Sequence, residues 1–209
     1  MTFKIDLHVH SKFSGDTDSE PEESVIHAVR AGLQGVAFTE HYSYEASEFA
    51  EGLREKYRGR IMVFRGVEFS TAEGHCLVFG VNTDMLTLKN APVEDVVRAV
   101  TEKGGVVIPA HPYRVSNSIG VRVKGLRGLC ALEGHNGYAH YYQNQKALQA
   151  AEEMGLPYTG GSDAHEPRET GACYTEFVHE VTQDNLLERL KGGAFKGVDT
   201  RKISRVWPF

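Results

Sequence analysis

Apolar residues recur along the chain in two alternating periods, and each period predicts an element. Short apolar runs read as strands or strands entering loops: "FKIDLHV" (3–9), "GVAFTEH" (35–41), "RIMVFRGVEFS" (60–70) and "HCLVFGV" (75–81). "VVIPAHP" (106–112), "LRGLCALEG" (126–134) and "LPYTGGSDAH" (156–165) continue the series. Between them lie amphipathic stretches. "EPEESVIHAVRAG" (20–32) has acids in its first turn and a closing Gly32, the signature of a capped helix. "EASEFAEGLREKY" (45–57), "YYQNQKALQAAEEMG" (141–155) and "TQDNLLERLKGG" (182–193) predict further helices. "VEDVVRAVTEKGG" (93–105) is the clearest, with Val93, Val96, Val97 and Val100 on one face. A late strand runs near His179, and a polar tail ends in "RVWPF", which packs either on the domain or on a neighbour. Strands alternating with helices predict a parallel α/β fold.

The strand ends carry the chemistry. His8 and His10, His41, Glu68, His111, Glu133, then Asp163 and His165 all fall at or just past the end of an apolar run. Polar side chains gathered at the C-terminal ends of successive parallel strands are how a barrel-like α/β fold builds an active site. A full eightfold barrel takes about 250 residues, so 209 residues suggest a smaller or distorted, TIM-like version. No repeat or long linker divides the chain, which reads as one domain over 1–209, with a final strand, helix and tail over 173–209.

In "IDLHVHSKFSGD" (5–16), Asp6, His8 and His10 share one face of a strand. Imidazoles about 6–7 Å apart along such a strand converge on one ion, or else form an ordinary polar strand end. The rest of the chain favours the ion. His8, His10, His41, His75, His111 and His165 lie in polar motifs, and Asp16, Glu68 and Asp163 complete the set. Imidazole with carboxylate suits Zn, Mn or Fe. Nine donors exceed one ion's needs and fit two or three, with a bridging carboxylate. His27 and His179 read as structural or surface residues, and His135 and His140 as loop residues that alternatively line the mouth of the site.

Composition narrows the remaining choices. A net charge of −5 argues against a nucleic-acid coat or a membrane-surface binder. "KGLRG" (124–128), with Arg122 and Arg127, is the one modest basic cluster. Cys76, Cys130 and Cys173 are dispersed and odd in number, which predicts reduced thiols and a cytoplasmic location. No apolar run approaches the length of a membrane span.

"DLHVHS", "TEH", "GVEFS…EGHCLVFG", "AHPYR", "ALEGHNG" and "GSDAH", in that order over residues 4 to about 172, resemble the motif series of the PHP (polymerase and histidinol phosphatase) family, in its stand-alone phosphoesterase form. The resemblance implies a distorted (β/α)7 barrel with a trinuclear metal site at the C-terminal ends of its strands. It implies that His8, His10, Glu68 and Asp163 hold one ion, and that Glu68 bridges to a second held by His75 and His111. Asp16, His41 and His165 are then the ligands of the third. The family's usual "TDH" is here "TEH", and Glu40 is expected to orient a ligand.

Such a site implies phosphoester hydrolysis by a hydroxide bridging two metals, with Glu68, Asp163 and His111 catalytic. The substrate is expected to be a small monoester: a nucleotide, a sugar phosphate or a compound like histidinol phosphate. Arg114 is placed to fork onto a phosphate, with a plain surface arginine as the alternative; Lys12, Arg168 and Asn136 are further candidate substrate contacts. Glu133 reads as a buried carboxylate beside the ligands. Two alternatives stay open. One is a 3′–5′ exonuclease or phosphodiesterase acting on nucleic acid; the other is a metal-binding regulatory domain without turnover.

Overall fold

The computed structural model describes residues 2–86, 88 and 90–201; the "RVWPF" tail lies outside the described residues. The fold is mixed α/β. Its largest sheet has five strands in the order β10 (Phe195–Asp199), β9 (Cys173–Phe177), β1 (Phe3–Val9), β2 (Gly35–Phe38) and β3 (Met62–Arg65). A second sheet is formed by β4 (Val67–Ser70), β5 (His75–Phe79) and β6 (Val106–Pro109), and a third by β7 (Leu132–Asn136) and β8 (Tyr158–Gly161). The helices are α1 (Pro21–Arg30), α2 (Ala50–Lys56), α3 (Val93–Glu102), α4 (Tyr141–Met154) and α5 (Leu186–Gly192).

The purely parallel expectation needs correction. β1–β2, β2–β3 and β7–β8 are parallel, but β1–β9, β9–β10, β4–β5 and β5–β6 are antiparallel. Between β4 and β5 the chain has too few residues for a crossover. It reverses in a turn in which the Thr71 hydroxyl donates to the Gly74 carbonyl and accepts from the Gly74 N–H.

Other boundaries also moved. The single strand expected over 60–70 breaks at Gly66, where the chain passes from the first sheet to the second. A Cβ there would stand 2.6 Å from the Phe79 ring, so only glycine lets the strand cross that closely. Residues 45–57 form one 3-10 turn and then α2. The strand expected over 126–134 starts only at Leu132, after Gly128 turns the chain at φ +83. β10 was not anticipated, and β9 ends before His179.

Packing locks these layers together. The valine face of α3 buries Val93, Val96, Val97 and Val100 against Val67, Val78 and Val107, each such side chain contributing about 1.5–3 kcal/mol. Ile5, Leu7, Leu77, Ile108, Phe177 and Leu190 fill the centre, and Val25, Ala28, Phe38 and Leu53 join α1 and α2 to β2. Cys76, Cys130 and Cys173 are free thiols. Among the described residues, no helix is long and apolar enough to cross a membrane.

Two isolated backbone bridges tie the sheets where the candidate residues lie. Val9 pairs with Ala164, joining the end of β1 to the segment after β8, and His41 pairs with Glu68, joining the segment after β2 to β4. The Asp163 N–H donates to the His8 carbonyl at 2.7 Å, and the His10 N–H to the Ala164 carbonyl at 3.0 Å.

Candidate metal centre

The period-2 face of β1 delivers His8 and His10 into the interior, and their Nε2 atoms stand 3.1 Å apart. Each ring is fixed from behind. His8 Nδ1 lies 2.9 Å from Glu133 Oε1, and His10 Nδ1 lies 2.8 Å from the Ser14 hydroxyl. Ser14 in turn donates to Glu40 Oε2, while Ser11 donates to Glu40 Oε1 at 2.6 Å and through its N–H to Oε2 at 3.0 Å. Glu40 therefore stands behind His10, reaching it through Ser14. Burial raises the Glu40 carboxyl above its usual range, and the two serines counter this in part.

Glu68 occupies the centre. Its Oε1 lies 2.7 Å from His111 Nε2 and 3.0 Å from His75 Nδ1; its Oε2 lies 3.0 Å from His41 Nδ1 and 3.3 Å from His10 Nε2. Asp163 Oδ1 lies 3.2 Å from His10 Nε2 and 3.4 Å from His8 Nε2. Asp16 Oδ2, nearer solvent, lies 3.0 Å from His165 Nε2 and 3.1 Å from His41 Nε2. All nine predicted donors are thus brought together. Three overlapping groups have donor atoms close enough to share an ion: His8, His10, Glu68 and Asp163; His10, His41 and His165; His41, Glu68 and His75.

The electrostatics follow from this crowding. Burial opposes charge on His8, yet the carboxylates of Asp163, Glu133 and Glu68 outweigh it and hold the imidazole well above its ordinary value. His10 is likewise opposed by burial but raised by Asp163 and Glu68 to about 9. Burial pushes the carboxyls of Glu68 and Asp163 up, and the surrounding imidazoles, His8 first, bring both below the usual carboxylate range.

Backbone strain accompanies the convergence. Asp163 and His111 have φ of +54 and +30, a region that residues other than glycine enter at a cost and that clusters at functional sites. Gly161 lets β8 lie directly against β1, because a Cβ there would overlap the His8 side chain.

The remaining candidates separate by geometry. Arg114 Nη1 lies 2.9 Å from Asp163 Oδ2. Asn136, expected to touch substrate, is fully buried. It donates to Glu133 and Asp163 and accepts from the N–H groups of Tyr138 and Ala139, which uses its whole amide within the protein. Lys12 pairs with Glu20 and Arg168 with Glu166, both at the surface; Arg168 lines an open cleft with Asp16 and His165. His140 caps α4 by accepting from the Gln143 backbone. His135 packs on Tyr158, and burial lowers its pKa. His27 bonds the Thr170 carbonyl. In the basic cluster, Arg122 pairs with Glu73 and Lys124 with Glu153.

Sequence reasoning missed Ser11 and Ser14 as the links between Glu40 and His10. It also missed the structural use of Asp6, which accepts from the N–H groups of His8, Ser162 and Gly171 instead of facing the cluster. Both serines follow the H-x-H motif, but nothing in their spacing announces a partner 26 or 29 residues away.

The family model described as PHP domain matches residues 6–155, and one described as PHP-associated matches residues 142–195. The chain belongs to the PHP family. The PHP chain is 27% identical over 117 residues to a histidinol-phosphatase of Lactococcus lactis, covering 50% of this chain and 42% of that one. Its fold is similar to that of a Bacteroides vulgatus two-domain protein containing a predicted PHP-like metal-dependent phosphoesterase (TM-score 0.75, 21% identity, 95% of this chain and 65% of that one). It is also similar to a lesion-specific endonuclease of Pyrococcus furiosus (TM-score 0.68, 18% identity, 94% of this chain and 57% of that one). The chain thus spans less than two thirds of each of these three relatives.

Proposed function

We propose that this PHP domain hydrolyses a small phosphate monoester at a trinuclear site holding Mn, Fe or Zn. The observation that carries the reading is the pair of Nε2 atoms of His8 and His10. Glu133 accepts the Nδ1 proton of His8, and the Ser14 oxygen, whose own proton goes to Glu40, accepts that of His10. Both Nε2 atoms, 3.1 Å apart, then face the same two carboxylates, Glu68 and Asp163, at 3.2–3.5 Å, and a cation bound among them takes the place of the proton that the metal-free site holds there. His41 Nδ1 supports the same fit: it is buried 3.0 Å from Glu68 Oε2 yet makes no aligned hydrogen bond.

His8, His10, Glu68 and Asp163 would hold one ion, Glu68, His75 and His111 a second, and Asp16, His41 and His165 the third. When bound, the metals supply Lewis acidity and a more acidic water. The protein's own groups do the rest. Glu68 and Asp163 are held as anions through neutral pH, which suits permanent ligands better than proton carriers. His111 meets Glu68 where the groups adjoin, so these three residues are the ones whose loss dismantles the centre. Arg114, anchored on Asp163 through Nη1, keeps Nη2 without a partner among the described residues and offers it to a phosphoryl oxygen. Hydrolysis adds water across the ester: a new P–O bond forms, the bond to the organic oxygen breaks, and that oxygen takes the proton.

The same reading treats the three sheets as arcs of one distorted seven-stranded barrel, with the Val9–Ala164 and His41–Glu68 bridges spanning two gaps. It treats residues 1–209 as one domain and the three free thiols as those of the reducing cytoplasm. The alternative, cleavage of nucleic-acid diesters, draws on the likeness to the endonuclease. Against it stand the acidic balance and the pairing of Arg122 and Lys124 with acids. A regulatory domain without turnover is disfavoured by a complete donor set.

The test is hydrolysis of a chromogenic monoester and a chromogenic diester by metal-stripped protein reloaded with Mn, Fe or Zn. His8→Ala and Asp163→Ala serve as blanks, with their folding checked by circular dichroism. Monoester turnover absent from both folded variants is expected. Turnover of the diester alone moves the nucleic-acid reading to first place. Wild-type rates in either variant refute the ligand assignment.

A further inference from the structure

Two tyrosines stand against two partly exposed candidate ligands, His41 and His165. The Tyr42 ring lies 5.5 Å from that of His41, and the Tyr138 ring 5.5 Å from that of His165, centroid to centroid. His41 and His165 are the two histidines that share Asp16 Oδ2. Both tyrosines are exposed, Tyr42 to 75% and Tyr138 to 63%. Neither phenolic oxygen bonds the protein among the described residues. Two other exposed aromatic rings, Phe13 and Tyr142, pack on Phe49 and His140 and not on a candidate ligand.

Both rings are also presented on pinned loops. Tyr42 has φ +68, a conformation a bulky side chain adopts only under strain. The three residues after it are tied to one carboxylate: the Ser43 hydroxyl and the Tyr44 and Glu45 N–H groups all donate to Asp84. On the other side, Arg201 donates to the carbonyls of Gly137 and Ala139, on either side of Tyr138, at 2.6 and 2.8 Å. Tyr42 lines a cleft shared with Asp16, His41 and His75. Glycine or asparagine takes up this φ at less cost than tyrosine.

We propose that Tyr42 and Tyr138 are specificity-determining residues that stack on a planar aromatic ring in the organic part of the phosphate ester, a nucleobase or an imidazole. The inference rests on the phosphoesterase reading for the position of the phosphate. It is tested by binding, so that the two fail separately. Calorimetry with the Mn-loaded protein compares the non-hydrolysable phosphonate analogues of three esters: adenosine 5′-monophosphate, histidinol phosphate and ribose 5-phosphate, the last of which has no aromatic ring. At least one ring-bearing ester is expected to bind about tenfold tighter than ribose 5-phosphate, in the lower range of base–aromatic stacking. The Tyr42→Leu/Tyr138→Leu double variant loses that preference, and Tyr42→Phe/Tyr138→Phe keeps it. Which ester carries the preference identifies the ring. Equal binding of all three esters by the wild type, or a preference that survives in the leucine variant, overturns the proposal. A preference that behaves as expected in a protein that hydrolyses no ester sinks the hydrolase reading and leaves the stacking pair.

Discussion

Glu133 holds His8 and the His111 backbone with one carboxylate: Oε1 lies 2.9 Å from His8 Nδ1, and Oε2 accepts the His111 N–H at 2.7 Å. One acid on β7 thereby sets the tautomer of a residue on β1 and the position of the chain after β6. Glu133→Gln replaces one of the two acceptors with a donor. Either His8 loses its partner or the His111 N–H faces an amide N–H. Metal affinity and kcat/KM should fall about 10–100-fold, with the fold retained. Unchanged metal content after dialysis would show that Glu133 does not orient these groups.

Arg114 donates through Nη1 to Asp163 and through Nε to the Ser116 carbonyl, which leaves Nη2 without a partner among the described residues. Arg114→Ala removes a charged donor, for which a loss of about 1.5–3 kcal/mol is usual. The KM for a phosphorylated substrate should therefore rise about tenfold or more. Arg114→Lys keeps the charge without the fork and should recover only part of the loss. A KM that stays put while bound metal is lost would confine Arg114 to positioning Asp163.

How far the sequence carried these conclusions depends on the distance between partners. His8 and His10 were legible as neighbours because strand alternation puts them on one face, and the ordered motifs named the nine residues that the fold brings together. Glu133 was visible only as a buried carboxylate, because its partner is 125 residues away and meets it only when the sheets assemble. The direction of β5 was misread because alternation of apolar runs does not encode strand polarity. The four-residue connection between β4 and β5 did contain that signal. β10 escaped because "FKGVD" is a short edge strand with an exposed lysine at its second position. The positive φ at Tyr42 could not be read because tyrosine seldom takes one; aspartate takes one more readily, but nothing in the sequence around Asp163 singled it out.

Protons and metal compete for His10. In the metal-free protein its imidazole titrates near 9, whereas a ligand must be neutral. At pH 7 the metal-free site therefore carries that proton, and loading expels it. Metal affinity should rise about tenfold per pH unit between pH 6 and 8 for each proton displaced. Equilibrium dialysis of Mn against protein at several pH values measures the slope. A flat profile would mean that His10 is already neutral and that no proton leaves.

Asp6 is buried behind the cluster with three backbone N–H donors on its carboxyl. Burial nevertheless dominates and raises it from 3.8 to about 6. Between these values the folded chain keeps a proton that the unfolded chain has lost, so this group's contribution to stability falls as pH rises through about 6. A rise of that size corresponds to about 3 kcal/mol. Asp6→Asn cannot ionise, but it leaves the Gly171 N–H without its acceptor, at a cost of about 1–3 kcal/mol. The variant should thus be clearly less stable than the wild type at pH 4.5, and the gap should narrow by pH 7.5. Urea melts of both proteins at the two pH values check the sign. A gap that widens with pH would show that the three donors, not burial, govern this carboxylate.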